Sequence, residues 1–489
     1  MRTSNNKNKA MELYLVIIIL LATVFGLYMA WGIGANDVAN AMGTSVGSGA
    51  LTIRRAVILA AVLEFSGAFF AGTHVSETVR KGIVDPAIFA GDGLSFMLGM
   101  LAALLAAGVW LQIASWKGWP VSTTHSIVGA VVGFGAVYGG INAVHWDEVS
   151  LIAASWVVSP LLSATISFLI FRFLVRFIFY DPRPLRSAKK LAPYLVFFVF
   201  AILTLTMVFK GLKNLKLDLS LPAAFAVASG VGLVAALISV WMVARMKETP
   251  EEEVPENIDK VTDPNTVRAL EKAVKHLERA RLASPGRMQD DVSNALDDVR
   301  RLRFELQRRY EFHTNSADYQ SVERLFVYLQ ILSASFVAFA HGANDVANAI
   351  GPMSAVISVA MAGGESIAAK APVPLWVLAL GGIGIIIGLA TWGWRVMETI
   401  GRNITELTPT RGFSAEFGAA TTIVVASKMG LPISTTHTLV GAVLGVGLAR
   451  GLSAINLVTV RDVVASWFIT IPAGAILAVI FFYGLKLLF

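Results

Sequence analysis

Gly34-Ala35-Asn36-Asp37-Val38-Ala39-Asn40-Ala41 recurs letter for letter as Gly342-Ala343-Asn344-Asp345-Val346-Ala347-Asn348-Ala349, 308 positions later. A second phrase, Pro120-Val121-Ser122-Thr123-Thr124-His125, returns as Pro432-Ile433-Ser434-Thr435-Thr436-His437 at an offset of 312, and Val-Gly-Ala-Val follows both copies, at 128–131 and 440–443. Between these phrases Gly67, Gly72, Glu77 and Thr78 align with Gly388, Gly393, Glu398 and Thr399, and further on Ser155-Trp156 aligns with Ser466-Trp467. Offsets that stay this close over so much of the chain mark one duplicated half.

The medium in which the halves fold follows from composition. Of 489 residues 55% are hydrophobic and only 15% charged, with a mean hydropathy of +0.66, whereas a soluble domain carries roughly 25% charged residues. Apolar runs at 13–30, 151–171, 195–208, 223–244, 375–389 and 463–485 approach or reach the roughly 20 residues that cross a bilayer as a helix. The expected fold is an all-α, polytopic membrane protein. Cysteine is absent, which excludes disulfides, thiolate metal sites and a cysteine nucleophile. No Gly-Lys dipeptide occurs, so there is no nucleotide P-loop. The net charge of +7 is what the basic loops of a membrane protein supply, and it calls for no nucleic-acid partner.

Residues 1–244 read as the first membrane half, 245–324 as a charged loop and 325–489 as the second half. The loop holds 32 of the 73 charges. Its periodicity predicts two amphipathic helices, one with Val267, Leu270, Val274 and Leu277 on a face, the other with Met288, Val292, Leu296, Val299, Leu302 and Leu306, turning at Ser284-Pro285-Gly286. This is either a solvated hairpin joining the halves or a regulatory or dimerising module. The basic cluster Arg172, Arg176, Arg183, Arg186, Lys189 and Lys190 puts the loop in the cytoplasm of a multi-pass cell-membrane protein. Arg2, Lys7 and Lys9, and Lys210, Lys213 and Lys216, argue against that orientation.

Pro-x-Ser-Thr-Thr-His opens an apolar stretch of about 15 residues, too short to span ~30 Å of hydrocarbon. It reads as a re-entrant helix starting inside the membrane, where free N–H groups, the helix dipole and three hydroxyls can cradle a tetrahedral oxyanion. The alternative is a plain N-cap whose threonines bond back into the helix. An intramembrane aspartate costs ~3 kcal/mol or more unless paired, and it is a functional candidate by default. Glycines around Asn-Asp suggest a broken helix whose bare carbonyls, carboxylate and amide oxygens suit a hard monovalent cation. A packing motif with a buried cation is the alternative. Glu77 and Glu398 are repeat-matched and followed by cations, so they read as coupling groups or interfacial ion pairs. Glu416 aligns with Leu104 and Glu64 with Ile385, so both are asymmetric candidates for coupling or gating. His341, opposite Ile33 in the repeat, could carry a proton, while His125 and His437 read as packing or capping residues.

The paired Gly-Ala-Asn-Asp-Val-Ala-Asn and Pro-x-Ser-Thr-Thr-His signatures resemble those of the inorganic phosphate transporter (PiT) family, across nearly everything except the charged loop. The stretches 34–49, 76–83 and Arg411-Gly412-Phe413-Ser414-Ala415-Glu416 are more similar to its sodium-coupled branch than to its proton-coupled one. The resemblance implies about 12 transmembrane helices in two inverted repeats, each with a re-entrant hairpin, and often a homodimer. It also implies phosphate bound by Ser122, Thr123, Thr124, Ser434, Thr435 and Thr436 with Asn40 and Asn348. Sodium falls to Asn36, Asp37, Asn344 and Asp345, with Glu77, Glu398 and Glu416 in coupling or gating. No cofactor is expected beyond the co-transported sodium. The expected function is a sodium-coupled symporter importing inorganic phosphate. The alternatives are a proton-coupled carrier of phosphate or sulfate, an anion channel, and a membrane enzyme or receptor, the last lacking a recognisable nucleophile–base pair.

Overall fold

The computed structural model of the chain describes residues 2–71, 83–84, 86–89, 91–181, 183–208, 219–245, 264–314, 317–364, 373–428 and 433–489. Its helices are α1 (Arg2–Asn36), α2 (Ala39–Gly47), α3 (Ile53–Ala71), α4 (Gly93–Trp116), α5 (Thr123–Gly139), α6 (Trp146–Leu174), α7 (Pro184–Thr206), α8 (Leu221–Ala244), α9 (Pro264–Ala283), α10 (Arg287–Thr314), α11 (Ala317–Met361), α12 (Leu375–Glu398), α13 (Pro409–Lys428), α14 (Thr435–Arg450) and α15 (Leu457–Leu488). Among the described residues eight helical segments are long and apolar enough to cross a membrane. The remaining helices fall short of that length or composition. α3 carries Arg54, Arg55 and Glu64 within its 19 residues, and α5 and α14 have only 17 and 16 residues, roughly 25 Å of helix.

The halves do not pack as separate bodies. α1 lies against α12 and α3 against α11, while α5 lies against α15 and α6 against α14, so these elements of one half are completed by the other. Glycine sets the closeness. A methyl group at Gly34 would strike the Ile385 carbonyl, and one at Gly388 the Trp31 carbonyl. The reciprocal pair is Gly67 under the Phe339 carbonyl and Gly342 under the Glu64 carbonyl. Lipid tails are as apolar as leucine, so helices in a bilayer gain contact by bringing backbones together at small residues. Gly388→Val puts branched carbon onto a backbone that cannot swing aside, where overpacking costs about 1–3 kcal/mol or more. We expect a melting temperature several degrees lower in detergent, with a smaller loss for valine at the open Gly230.

At the repeated motif the expectation of a broken helix holds for the first copy and not for the second. α1 and α2 are separated only by Asp37 and Val38, and Val38 is itself helical (φ −63°, ψ −22°). Asp37 N still donates to Ile33 O at 2.8 Å, but Asn40 N turns back to Asp37 O at 2.8 Å, three residues earlier rather than four, so the helix is interrupted at Asp37–Val38. In the second copy α11 runs unbroken from Ala317 to Met361. Gly34 and Gly342 serve close approach to the neighbouring helices.

α7 packs on α8, and the start of α7 (Leu185, Ala188) shares a buried cluster with the start of α11 (Val322, Leu325). α9 and α10 stand where the periodicity places them, joined at Ser284–Gly286. Val274 and Leu296 are buried between them, and Arg300 reaches Glu278 at 2.7 Å.

Candidate functional site

α5 and α14 both begin at the repeated hydroxyl phrase. Ser122 and Ser434 are extended N-caps whose Oγ atoms accept from the His125 and His437 amides at 3.3 and 3.2 Å. Their hydroxyls are therefore engaged in starting the helices, and the threonines that follow face the aspartates. Losing such a cap costs ~1 kcal/mol. Ser122→Ala and Ser434→Ala should each lower the melting temperature by a few degrees while cutting uptake far less than the threonine changes do.

The threonines, aspartates and second asparagines form one buried cluster that crosses between the halves. Thr123 Oγ1 donates to Asp37 Oδ2 at 2.6 Å, and Thr435 Oγ1 to Asp345 Oδ2 at 3.1 Å, each within its own half. The asparagines reach over. Asn40 Nδ2 lies 2.8 Å from Thr436 Oγ1, and Asn348 Nδ2 lies 3.2 Å from both Thr123 Oγ1 and Thr124 Oγ1. Thr436 Oγ1 also reaches Asp37 Oδ1 at 2.8 Å. Of the predicted residues, the threonines, both aspartates, Asn40 and Asn348 thus come together, and Asn344 supports Asp345 through a 2.7 Å bond. Asn36 does other work. Its amide donates to Ser115 Oγ and the Trp119 carbonyl at 3.1 and 2.9 Å, and its oxygen accepts from Val121 N at 3.0 Å. It pins the strand of chain that leads into α5.

His341 joins the cluster from one side only. Its Nε2 is 2.8 Å from Asp345 Oδ2 and 4.0 Å from Asp37 Oδ2, while Nδ1 contacts both Glu64 oxygens at 2.9 Å. The Asp345 contact is close but not aligned as a hydrogen bond, and among the described residues the buried oxygen Asn40 Oδ1 has no hydrogen-bond partner. Asp37, His341 and Asp345 each offer a donor atom within 4.8 Å of the others. Hydroxyl and carboxamide donors beside carboxylate and carboxamide oxygens can hold an oxyanion and a hard cation side by side.

Glu416 is buried against the other half. Thr44 Oγ1 and Ser45 Oγ donate to it at 2.5 and 2.9 Å, Gln330 Nε2 at 3.3 Å, and Ser333 Oγ also bonds to it. Glu398 is exposed at the end of α12, and Glu77 lies outside the described residues. His125 and His437 stack edge to face at 4.3 Å, each covered by a tryptophan, Trp156 and Trp467, at 3.7 Å. They are packing residues at the seam between the hydroxyl helices. Sequence reasoning left out Thr44, Ser45, Gln330 and Ser333, and the signal that could have found them is a departure from the repeat. Thr44-Ser45 stands where the second copy has Pro352-Met353, just as Glu416 stands where the first has Leu104.

An α-helical membrane protein whose duplicated halves bring their repeated motifs to one buried polar cluster has the architecture of a solute transporter. A model of the phosphate transporter family matches residues 33–478, and the chain belongs to that family. It is 46% identical to a chloroplastic inorganic phosphate transporter of Arabidopsis thaliana, over 94% of this chain and 70% of that one. A putative phosphate permease of Chlamydia pneumoniae is 45% identical over 97% of this chain and 99% of its own. Among solved structures, one titled a sodium-dependent phosphate transporter superposes with a TM-score of 0.75 at 37% identity, covering 97% of this chain and all of that one. The protein is a transporter and not an enzyme.

Proposed function

We propose that this protein imports inorganic phosphate together with sodium, by alternating access between two inverted halves of a carrier with about 12 membrane helices. The observation that carries the reading is the crossed cluster, in which Asn40 and Asn348 each bond the threonines of the opposite half. One substrate held there would be gripped by both halves at once, as inverted-repeat carriers do. In this reading Thr123, Thr124, Thr435, Thr436, Asn40 and Asn348 bind phosphate, with Ser122 and Ser434 presenting the helix N-termini. Asp37 and Asp345 hold sodium, with Asn36 and Asn344 positioning the backbone and carboxylate beside them. Glu416 with its hydroxyl shell takes part in coupling, and α5 and α14 enter the membrane as re-entrant helices.

One physical argument supports cation coupling and a second supports phosphate over sulfate. Bringing a dianion into an inside-negative cell costs ~2.3 kcal/mol per charge per 100 mV, so more than two cations must travel with it for a net electrical pull. Hydrogen phosphate also has a proton to donate and sulfate has none, so ionised Asp37 or Asp345 accepts from the one and repels the other. The resemblance to a structure titled sodium-dependent points the same way.

Labelled phosphate uptake into proteoliposomes tests this, with inward sodium and proton gradients of equal size and sulfate as competitor. Sodium-driven uptake untouched by sulfate is the expected result; uptake driven by protons alone overturns it. A proton-coupled carrier is the second reading, favoured by His341 standing between Glu64 and Asp345.

A further inference from the structure

Between α7, α8 and α11 lies an apolar cavity of about 800 Å3, away from the polar cluster. Ala192 and Val196 of α7 form its buried floor, Val234 and Ile238 of α8 one wall, and Tyr328 and Leu329 of α11 the other. Most of a membrane protein's outer face is convex and takes lipid without preference. This face is concave and falls in the size range, roughly 300–1,000 Å3, that encloses a small ligand.

Its mouth differs chemically from its interior. α7 and α11 begin at the same end of the molecule, where Leu185 and Ala188 meet Val322 and Leu325, and α8 lines the cavity up to Val243. Arg245 comes two residues after that last lining position, Arg324 immediately precedes the lining Leu325, and Lys190 precedes Ala192 on α7. All three cations are exposed. The Arg245 guanidinium lies 3.6 Å over the Trp241 ring. Trp241 and Tyr328 are 57% and 71% exposed, the amphipathic aromatics expected at headgroup depth. Apolar walls between membrane-crossing helices, with exposed cations one or two residues beyond the lining positions at one end, match an anionic lipid, tail and headgroup together.

We propose that this cavity is a binding site for an anionic phospholipid, its acyl chain between α7, α8 and α11 and its phosphate on Arg245 and Arg324. A second copy of the chain would fill the apolar walls but would leave the cation rim without an anionic partner.

The test uses the purified full chain, delipidated in detergent and titrated with phosphatidylglycerol or phosphatidylcholine, read by native mass spectrometry. Wild type should retain phosphatidylglycerol in preference to phosphatidylcholine. Arg245→Gln with Arg324→Gln, both exposed and so tolerated by the fold, should weaken phosphatidylglycerol retention roughly thirtyfold and leave phosphatidylcholine unchanged. Val234→Trp, which fills the cavity, should reduce both. Equal retention of the two lipids by wild type, or retention of phosphatidylglycerol unaffected by the double change, overturns the proposal. So does efficient cross-linking of Val234→Cys to its own copy in a chain that otherwise lacks cysteine.

Discussion

Asp37→Asn is expected to abolish sodium-driven phosphate uptake, by at least a hundredfold, while leaving folded protein in the membrane. Asparagine has the same shape, and its oxygen can still accept from Thr123, which donates to Asp37 at 2.6 Å. What disappears is the charge, and with it the main attraction for a sodium ion beside the hydroxyls. Leaving a hydrogen-bonded side chain of equal volume keeps the structural cost to the order of 1 kcal/mol. Asp345→Asn should behave in the same way. Uptake per folded molecule in proteoliposomes, with melting temperature as the control, separates the two effects. Wild-type uptake from either variant would sink the assignment of sodium to these carboxylates.

The second large effect concerns Glu64 and His341, buried and in contact through both carboxylate oxygens at 2.9 Å. Removing one member of a buried ion pair strands the other and costs about 3–5 kcal/mol, whereas replacing both by well-packed apolar groups is often neutral. The protein contains a guide to the replacement. The repeat counterparts of His341 and Glu64 are Ile33 and Ile385, both fully buried. We expect His341→Ile and Glu64→Ile each to lower the melting temperature steeply, and the double variant to recover only the share owed to their mutual contact, because Asp345, 2.8 Å from His341 Nε2, also loses its neighbour. Additive losses in the double variant would show that the pair is not coupled.

Much of the site was legible because the duplication wrote it twice. The threonines, both aspartates and the second asparagine of each motif could be picked out as doubled polar residues in an apolar chain. The partners could not. Alignment pairs like with like, Asn40 with Asn348, whereas the fold pairs Asn40 with Thr436 and Asn348 with Thr123, because each half is packed into the other. The motif glycines were ambiguous for a related reason, since the helix breaks at the first copy and not at the second. Glycine permits a break and a close approach equally well, and only the neighbouring helix, α12 for Gly34 and α3 for Gly342, shows which of the two is used. Asn36 is intelligible only once Val121 and Trp119 are beside it. Departures from the repeat carried more information than the repeat itself. Glu64 with His341, and Glu416 with Thr44-Ser45, are polar exceptions that meet each other, while their counterparts Ile385, Ile33, Leu104 and Pro352-Met353 are all apolar.

The reciprocal glycine contacts also bear on how the chain is made. α1 and α3 enter the bilayer while the ribosome has yet to reach Phe339 or Ile385, the carbonyls on which Gly67 and Gly34 will rest. Until α11 and α12 arrive, those close-packing faces have only lipid to meet, and Asp37 waits without Thr436. The seam faces of α1 and α3 therefore wait uncovered for more than half the time of synthesis, although α1 already has α4 to pack against, and that is the stage at which membrane quality control would see them. A nascent chain of this kind completes its tertiary structure late and nearly all at once, and mutations at the seam should show first as low abundance rather than as altered transport.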